Sequence, residues 1–315
     1  MQKKALTVNA YVVAAGAFGA FFRWLQNQTA FEPDTGLLKP GIINYIVPLL
    51  IIAALYLFYR IVKGIKVQGL TPPDNVWHAF RAKHIAYPAV YYVTALVTAL
   101  GGFVTLITAR DFIGSGFFRF TGLLALACGV TFPMICSASK KKYSPSMVST
   151  LMTLPIIMSC VWMIGSYKVN SSTPTVWSFA VEIIALCVLT VAFYYAAGFA
   201  FGRALPYRAM FFNMAAAFMC IVTLADQRLF GLQLVLVGAA AMLITENWLL
   251  VCNLQEAASE EPQRPGSEEE PESDELVVKA GEDRFIPEPT IEAPEYKPDK
   301  NKALDDIMNE FGKEE

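Results

Sequence analysis

The sequence contains none of the short motifs that carry nucleotide binding or common hydrolytic chemistry. It has no GxxxxGK(S/T) phosphate loop, no GxGxxG dinucleotide fingerprint, no HExxH zinc motif and no GxSxG nucleophile turn. Histidine occurs only twice, and none of the six cysteines forms a CxxC pair. We therefore predict no catalytic residue, no cofactor and no metal site, and a protein that is not an enzyme.

Acidic residues are scarce in the first 254 residues and abundant in the last 61. Residues 1–254 contain 18 Lys or Arg and 7 Asp or Glu, whereas residues 255–315 contain 7 and 20. The two parts therefore carry charges of about +11 and −13, which the overall net charge of −2 conceals. This division predicts a basic membrane-embedded body, 1–254, joined to an acidic tail, and no nucleic-acid partner is expected.

Long apolar runs are the main feature that is present. Hydrophobic residues make up 55% of the chain, the mean hydropathy is +0.43, and the apolar residues occur in runs near 20 residues, the length that crosses about 30 Å of hydrocarbon. We predict an all-α polytopic membrane helix bundle of about eight transmembrane helices, with the lipid bilayer as its surroundings. The predicted spans are Leu6–Phe22, Ile42–Tyr59, Tyr87–Thr108, Phe120–Ser137, Met147–Gly165, Val176–Phe201, Met210–Ala225 and Phe230–Cys252.

The distribution of lysine and arginine predicts the orientation of these spans. Twelve Lys or Arg near the span ends fall on one side of the predicted membrane and six on the other, and Lys140, Lys141 and Lys142 belong to the richer side. Cytoplasmic loops carry the excess of positive charge. We therefore expect a multi-pass protein of the cell membrane with both termini in the cytoplasm.

The order of motifs indicates an internal repeat. Val104-Thr105-Leu106 precedes the turn with Arg110, and Val222-Thr223-Leu224 precedes the turn with Asp226. Four spans lie on each side of the triple lysine, so that a duplication would give two parallel halves, a 4+4 arrangement.

Two local patterns predict further details. The segment after Pro72-Pro73-Asp74 has Trp77 and Phe80 on one helical face, which is typical of a short helix lying in the membrane interface, although a structured loop would also fit. Gly198 and Gly202 have the small-residue spacing that allows two helices to approach closely.

Ionisable residues are rare within the spans, and these few are the candidate site. Glu182 and Glu246 lie deep in the sixth and eighth spans, where Arg119 and Asn213 are expected at matching depths. A charged group at the bilayer centre costs about 2.5–3.5 kcal/mol on insertion scales, so each carboxylate needs a partner or a water-filled cavity. Two interpretations stay open, a path for an ion or solute and a pair of structural contacts.

The tail has a different composition. Residues 255–300 are rich in Glu, Pro and Ser, and we predict a disordered cytoplasmic linker. Residues 301–315 contain apolar residues at positions i, i+3, i+4 and i+7 of a short amphipathic helix: Leu304, Ile307, Met308 and Phe311. This spacing favours docking in the groove of a cytoplasmic protein partner, with membrane-surface binding and chance periodicity as the alternatives.

Two functional hypotheses follow from the sequence. The first is an integral membrane protein that recruits or anchors a cytoplasmic partner through its tail, with a sensor role for the bundle. The second is a small-molecule or ion transporter that uses Glu182 and Glu246. A membrane enzyme ranks third, because the sequence shows no cluster of polar groups within the spans.

Overall fold

A computed structural model describes residues 2–32, 37–73, 75–81, 86–111, 115–138, 144–171 and 177–254. The predicted triple-lysine loop, the disordered linker 255–300 and the amphipathic motif 301–315 lie outside the described residues, so these remain predictions from sequence.

Within the described residues, the fold is all-α, as predicted. The only strand-like pairing in this part of the chain is an isolated bridge between Phe31 and Leu38. The helices are α1 (Gln2–Thr29), α2 (Ile43–Val67), α3 (Val76–Ala79), α4 (Ala86–Thr108), a 3-10 turn (Ala109–Asp111), α5 (Ser115–Ala138), α6 (Pro145–Asn170), α7 (Trp177–Gly198), α8 (Pro206–Thr223) and α9 (Phe230–Cys252).

Seven of these helices are long and apolar enough to cross a membrane, namely α1, α2, α4, α5, α6, α7 and α9. This finding supports a multi-pass membrane helix bundle. The eighth predicted span corresponds to α8, which has 18 residues and carries Arg208 and Asn213. Twelve residues of α8 are buried among α1, α2, α7 and α9, so this helix is largely enclosed by protein.

Local sequence signals set several helix ends. The Ser144 side chain accepts a hydrogen bond from the Met147 backbone N–H, and Pro145 occupies the first turn of α6. Helix α7 ends at Gly198, and Gly202 adopts a φ of +68°, a left-handed conformation that glycine tolerates without strain. The predicted helix-packing role of Gly198 and Gly202 is therefore wrong, because Gly198 is the last residue of α7 and Gly202 lies in the turn that follows it.

The helices are arranged as a ring with two additional members. Helices α4 to α9 each pack against the next, and α4 packs against α9, which closes the ring. Helix α1 lies against α8 and α9, and α2 lies against α1 and α8. The predicted 4+4 repeat is not confirmed by this packing, because α7 packs on α8 whereas α2, at the matching position, packs on α1 and α8 rather than on α4.

Glycines bring α4 close to both of its main neighbours. A Cβ added at Gly101 would lie 2.7 Å from the Gly231 carbonyl oxygen of α9, and one added at Gly102 would lie 2.5 Å from the Gly122 carbonyl oxygen of α5. Both distances are too short for real atoms, so only glycine permits this contact. Small residues at helix crossings are typical of membrane bundles, where close packing replaces the hydrophobic driving force.

The predicted interfacial helix is wrong in extent and in environment. Helix α3 has only four residues, Val76–Ala79; the Asn75 side chain caps its start by accepting a hydrogen bond from the His78 backbone N–H, and Phe80 follows its end. Phe80 is 1% exposed, and its ring lies 5.4 Å from that of Phe199. The apolar residues of α3 and Phe80 pack against the bundle, because the segment that contains them connects α2 to α4 across the end of the helices.

Hydrogen bonds show which helix termini lie at the same end of the bundle. Lys4 Nζ, at the start of α1, donates to Gln68 Oε1, just after α2, at 2.7 Å, and Asn253 Nδ2, just after α9, donates to the Ala79 carbonyl oxygen of α3 at 2.9 Å. The start of α1 and the end of α9 therefore lie at the same end of the bundle as the end of α2, which we name the Lys66 end. The opposite end, which holds the loop between α8 and α9, is named the Asp226 end.

Candidate functional site

A buried ion pair connects α1 to the loop between α8 and α9. Arg23 is 0% exposed, and its Nε donates to Asp226 Oδ1 at 2.6 Å. Its Nη1 donates to Gln26 Oε1 at 2.8 Å, one turn further along the same helix. Asn27 Nδ2 donates to Asp226 Oδ1 at 3.1 Å and to the Ala225 carbonyl oxygen at 3.0 Å. The spacing of Arg23, Gln26 and Asn27 places all three on one face of α1.

A second cation extends this network towards α7. Arg228 Nη2 donates to Asp226 Oδ2 at 3.1 Å, and Arg228 Nη1 lies 3.6 Å from Glu182 Oε1. Glu182 Oε1 also accepts a hydrogen bond from Trp162 Nε1 of α6 at 3.0 Å. Two arginines and two carboxylates thus alternate across α1, the loop between α8 and α9, and α7, with their formal charges balanced.

Three of these charged residues, Glu182, Asp226 and Arg228, line a cavity of about 360 Å³ at the Asp226 end. Its wall combines polar and aromatic side chains from α1, α5, α6, α7 and the loop between α8 and α9, among them Asn27, Phe118, Ser166, Asn170, Phe179, Glu182, Asp226 and Arg228. Small-molecule sites in proteins usually measure about 300–1,000 Å³ and combine apolar walls with a few placed polar groups. The cavity has the size and lining of such a site.

Arg228 is the least satisfied charged group on this wall. Only 5% of its side chain is exposed, yet Nε and Nη1 have no hydrogen-bond partner among the described residues. The 3.6 Å separation from Glu182 is an ion pair that exceeds hydrogen-bond length. An unmet buried donor costs about 1–3 kcal/mol, and more on a charged group. Arg228 thus lines the cavity with two guanidinium nitrogens that lack a hydrogen-bond acceptor in the described part of the chain.

A second polar position lies further inside the bundle. Glu246 is 1% exposed and Asn213 is 0% exposed. In the described part of the chain, Glu246 Oε2 and both polar side-chain atoms of Asn213 have no hydrogen-bond partner. Glu246 follows Leu232, a cavity residue, by fourteen positions on α9, so both lie near one face about 21 Å apart along the axis.

One further polar contact joins α1 to α9 near Glu246. Asn247 Nδ2 donates to Asn9 Oδ1 at 2.8 Å, and Asn9 Nδ2 donates to the Ile244 carbonyl oxygen at 3.1 Å. Both asparagines are buried. Asn247 thus has a structural partner on α1 through its Nδ2, while its Oδ1, like Oε2 of Glu246, has no hydrogen-bond partner among the described residues.

The structure changes the set of site residues that the sequence predicted. Glu182 lies in the cavity, but its cationic partner is Arg228, while the predicted partner Arg119 is solvent-exposed at the surface of α5. The buried roles of Arg23, Asp226 and Arg228 were not predicted, because each was interpreted as an outer flanking charge. The available signal was that all three belong to predicted loops or span ends on one side of the membrane.

The predicted docking residues Leu304, Ile307, Met308 and Phe311 lie outside the described residues, and the structure does not test them. Within the described part, no group of three His, Cys, Asp or Glu side chains is arranged to hold a metal ion.

Comparisons with protein-family models, with curated proteins and with solved structures found no significant match for this chain. The class of protein therefore rests on its own architecture. Its seven apolar helices support a multi-pass α-helical membrane protein.

Proposed function

We propose that the protein is a small-solute transporter whose binding site is the cavity at the Asp226 end. The observation that carries this proposal is the side chain of Arg228, which is buried, lines the cavity and has two guanidinium nitrogens without a hydrogen-bond partner among the described residues. Of the two functions expected from the sequence, this is the one that the geometry of the bundle supports.

The charges on the wall indicate the chemical class of the solute. The unpartnered guanidinium nitrogens of Arg228 suit a carboxylate, because a guanidinium and a carboxylate form strong charge-assisted hydrogen bonds. Glu182 faces the same cavity and suits an ammonium group. Since two arginines and two acids already balance, a solute without net charge fits best. A small zwitterion, such as an amino acid, meets these conditions.

The inner polar position supports transport rather than binding alone. Glu246 and Asn213 are buried on α9 and α8 with unmet hydrogen-bonding atoms, among the described residues. Intramembrane ionisable groups of this kind commonly mark a substrate or ion pathway. We assign the first binding step to Arg228 and Glu182, and the passage of the solute or a coupled ion to Glu246 and Asn213.

The orientation of the protein is part of the proposal. We place it in the cell membrane with eight spans, α8 being the eighth, and with the Lys66 end in the cytoplasm. The twelve-to-six bias of Lys and Arg supports this placement. The cavity would then open to the outside. The equal seven-residue spacing of Gly122 and Gly129 on α5, and of Gly231 and Gly238 on α9, supports a 4+4 repeat.

Binding of amino acids by the purified protein tests the proposal. We would measure the thermal midpoint of the detergent-solubilised chain with each common amino acid, with its decarboxylated amine and with its deaminated acid. We expect at least one zwitterion to raise the midpoint, and its two truncated analogues to do so far less. Arg228→Met should abolish the shift, whereas Arg119→Gln, at the exposed surface of α5, should preserve it.

If no zwitterion shifts the wild-type midpoint, or if Arg228→Met responds as the wild type does, water alone satisfies the guanidinium and the assigned site is wrong.

A second proposal rests on the sequence of the tail. We infer that residues 301–315 recruit a cytoplasmic protein through Leu304, Ile307, Met308 and Phe311, on a flexible linker formed by 255–300. The apolar spacing supports it, since a segment that is only solvated has no need of one apolar face. Crosslinking in intact cells with Leu304→Ala/Phe311→Ala should lose the partner that the wild type captures, whereas Glu314→Gln/Glu315→Gln should keep it. Equal capture by both variants would refute docking.

A further inference from the structure

A second cavity, of about 550 Å³, lies between α2 and α8 at the Lys66 end. Its lining is predominantly apolar and includes Val62 on α2 and Phe211 and Phe212 on α8. Unlike the cavity at the Asp226 end, it opens on the side of the bundle, because its lining residues Tyr59 and Val67 are 52% and 78% exposed. In a membrane, this side faces lipid.

Aromatic packing supports one wall of this second cavity, which we call the groove between α2 and α8. Phe212 stacks on Tyr195 of α7 with ring centroids 5.1 Å apart and an angle of 18° between the rings. Phe211 meets Phe212 edge to face at 5.1 Å. The wall on the α8 side is therefore held in place by contacts within the protein.

Three cations line the groove, and no acidic residue of the described part does. Lys63 and Lys66 come from the last two turns of α2, and Arg208 comes from the first turn of α8. None of the three has an ion-pair partner among the described residues. Lys66 Nζ lies 6.0 Å from the centre of the Tyr207 ring, whose hydroxyl donates to the Leu70 carbonyl oxygen at 2.9 Å.

We propose that this groove is a binding site for an anionic phospholipid. An acyl chain lies along the apolar wall between α2 and α8, and the headgroup phosphate contacts Lys63, Lys66 and Arg208. The charge pattern selects the occupant, because an acyl chain satisfies the apolar wall and a net negative headgroup satisfies three unpaired cations. Basic pockets between membrane helices bind anionic headgroups in this way, and each cation near a charged lipid surface strengthens binding about fivefold.

The predicted topology agrees with this occupant. The positive-inside bias places the Lys66 end in the cytoplasm, and the cytoplasmic leaflet is the one that carries anionic lipids. A zwitterionic phosphatidylcholine has the same acyl chains, but its choline cation would approach the same three positive side chains. The site should therefore discriminate between lipids by headgroup charge.

Native mass spectrometry of the full-length protein released from detergent tests the proposal. We would add phosphatidylglycerol or phosphatidylcholine with identical acyl chains and compare the fraction of lipid-bound protein. We expect wild type to bind phosphatidylglycerol at least tenfold more tightly. Lys63→Gln/Lys66→Gln/Arg208→Gln should lose this preference, whereas the control Arg60→Gln/Arg203→Gln, which removes exposed cations that do not line the groove, should keep it.

A second readout does not depend on the charge variants and serves if the triple variant fails to fold. Val67→Trp adds a sixth tryptophan, on the groove, to the five native ones. Brominated phosphatidylglycerol should quench the emission that this residue adds over wild type more strongly than brominated phosphatidylcholine does in vesicles.

Equal binding of the two lipids by wild type, or retained preference in a folded triple variant, would overturn the proposal. Competition by soluble glycerol phosphate at equal strength would show a phosphate site and not a lipid site. A dimer lost in the triple variant, with no lipid adduct in wild type, would show that a second copy of the chain occupies the groove.

Discussion

Removing the Asp226 carboxylate should destabilise the bundle more than removing its partner Arg23. Asp226 accepts hydrogen bonds from Arg23 Nε, Asn27 Nδ2 and Arg228 Nη2 at 2.6, 3.1 and 3.1 Å. Asp226→Ala deletes all three and leaves two guanidinium groups buried, one 0% and one 5% exposed. Arg23→Met deletes only one of them and leaves Asp226 with Asn27 and Arg228.

The magnitudes follow from these contacts. Breaking a buried ion pair by removing one partner costs about 3–5 kcal/mol, because the other charge stays buried without compensation. We expect a cost in this range for Asp226→Ala. Arg23→Met should cost less, about 1.5–3 kcal/mol, because it removes the bonds to Asp226 and Gln26 but leaves Asp226 paired with Arg228 and Asn27. The double variant should cost less than the sum by about 1–3 kcal/mol, because the two side chains are in direct contact.

Unfolding by SDS in mixed micelles, followed by tryptophan fluorescence, would measure these free energies. Arg119→Gln is the matched control, since Arg119 is exposed near the same end and should change stability by less than about 0.5 kcal/mol. A cost below about 1 kcal/mol for Asp226→Ala, or strict additivity in the double variant, would refute the account of the ion pair.

Two more predictions test the architecture. In a background without cysteine, Ser171→Cys should react with a membrane-impermeant thiol reagent from outside the cell, and Arg203→Cys should react only after permeabilisation. The two residues lie at opposite ends of the bundle, so labelling of both from one side would contradict the threading. Gly101→Leu should lower the midpoint of SDS unfolding strongly, because its Cβ would lie 2.7 Å from the Gly231 carbonyl oxygen. The control Gly116→Leu should change the midpoint little, because no atom lies within 4 Å of a Cβ at that position. Equal midpoints for the two variants would contradict the close packing of α4 and α9.

The long helices were predictable from sequence because the thickness of the bilayer sets the length of an apolar run. Each predicted span overlaps one long helix, and the described helices extend beyond the predictions mostly at their polar ends, as where α2 continues past Tyr59 to Val67. Helix α8 is not among the seven helices that are long and apolar enough to span a membrane. It was predicted only from Met210 onwards, because its first residues, Pro206, Tyr207 and Arg208, do not belong to its apolar run.

The candidate site was predictable only in part, because it depends on which helix ends meet. Glu182 and Glu246 stand out in sequence as the deep carboxylates, and both occupy the bundle interior. The predicted partner of Glu182 was wrong, because depth in the membrane alone does not distinguish Arg119 on α5 from Arg228 in the loop after α8. The buried position of Arg23 depends on the contact of α1 with the loop that contains Asp226, about 200 residues away in sequence.

The glycine contacts have a local signal in the sequence. Gly122 and Gly129, like Gly231 and Gly238, are separated by seven residues, two helical turns, and so lie on one face of each helix. Gly198 and Gly202, the pair predicted to mark a helix contact, have the expected spacing but lie at the end of a helix. Spacing alone cannot distinguish a packing face from a helix end.

Uptake into sealed proteoliposomes tests the central claim most directly. The probe is the isotopically labelled zwitterion that raises the thermal midpoint of the purified wild type. We predict that wild type equilibrates it across the membrane, that Arg228→Met neither binds nor transports it, and that Glu246→Gln binds it but transports it much more slowly. Binding by wild type without uptake above protein-free vesicles, or uptake that is unchanged in Arg228→Met, would contradict a transporter that uses this cavity.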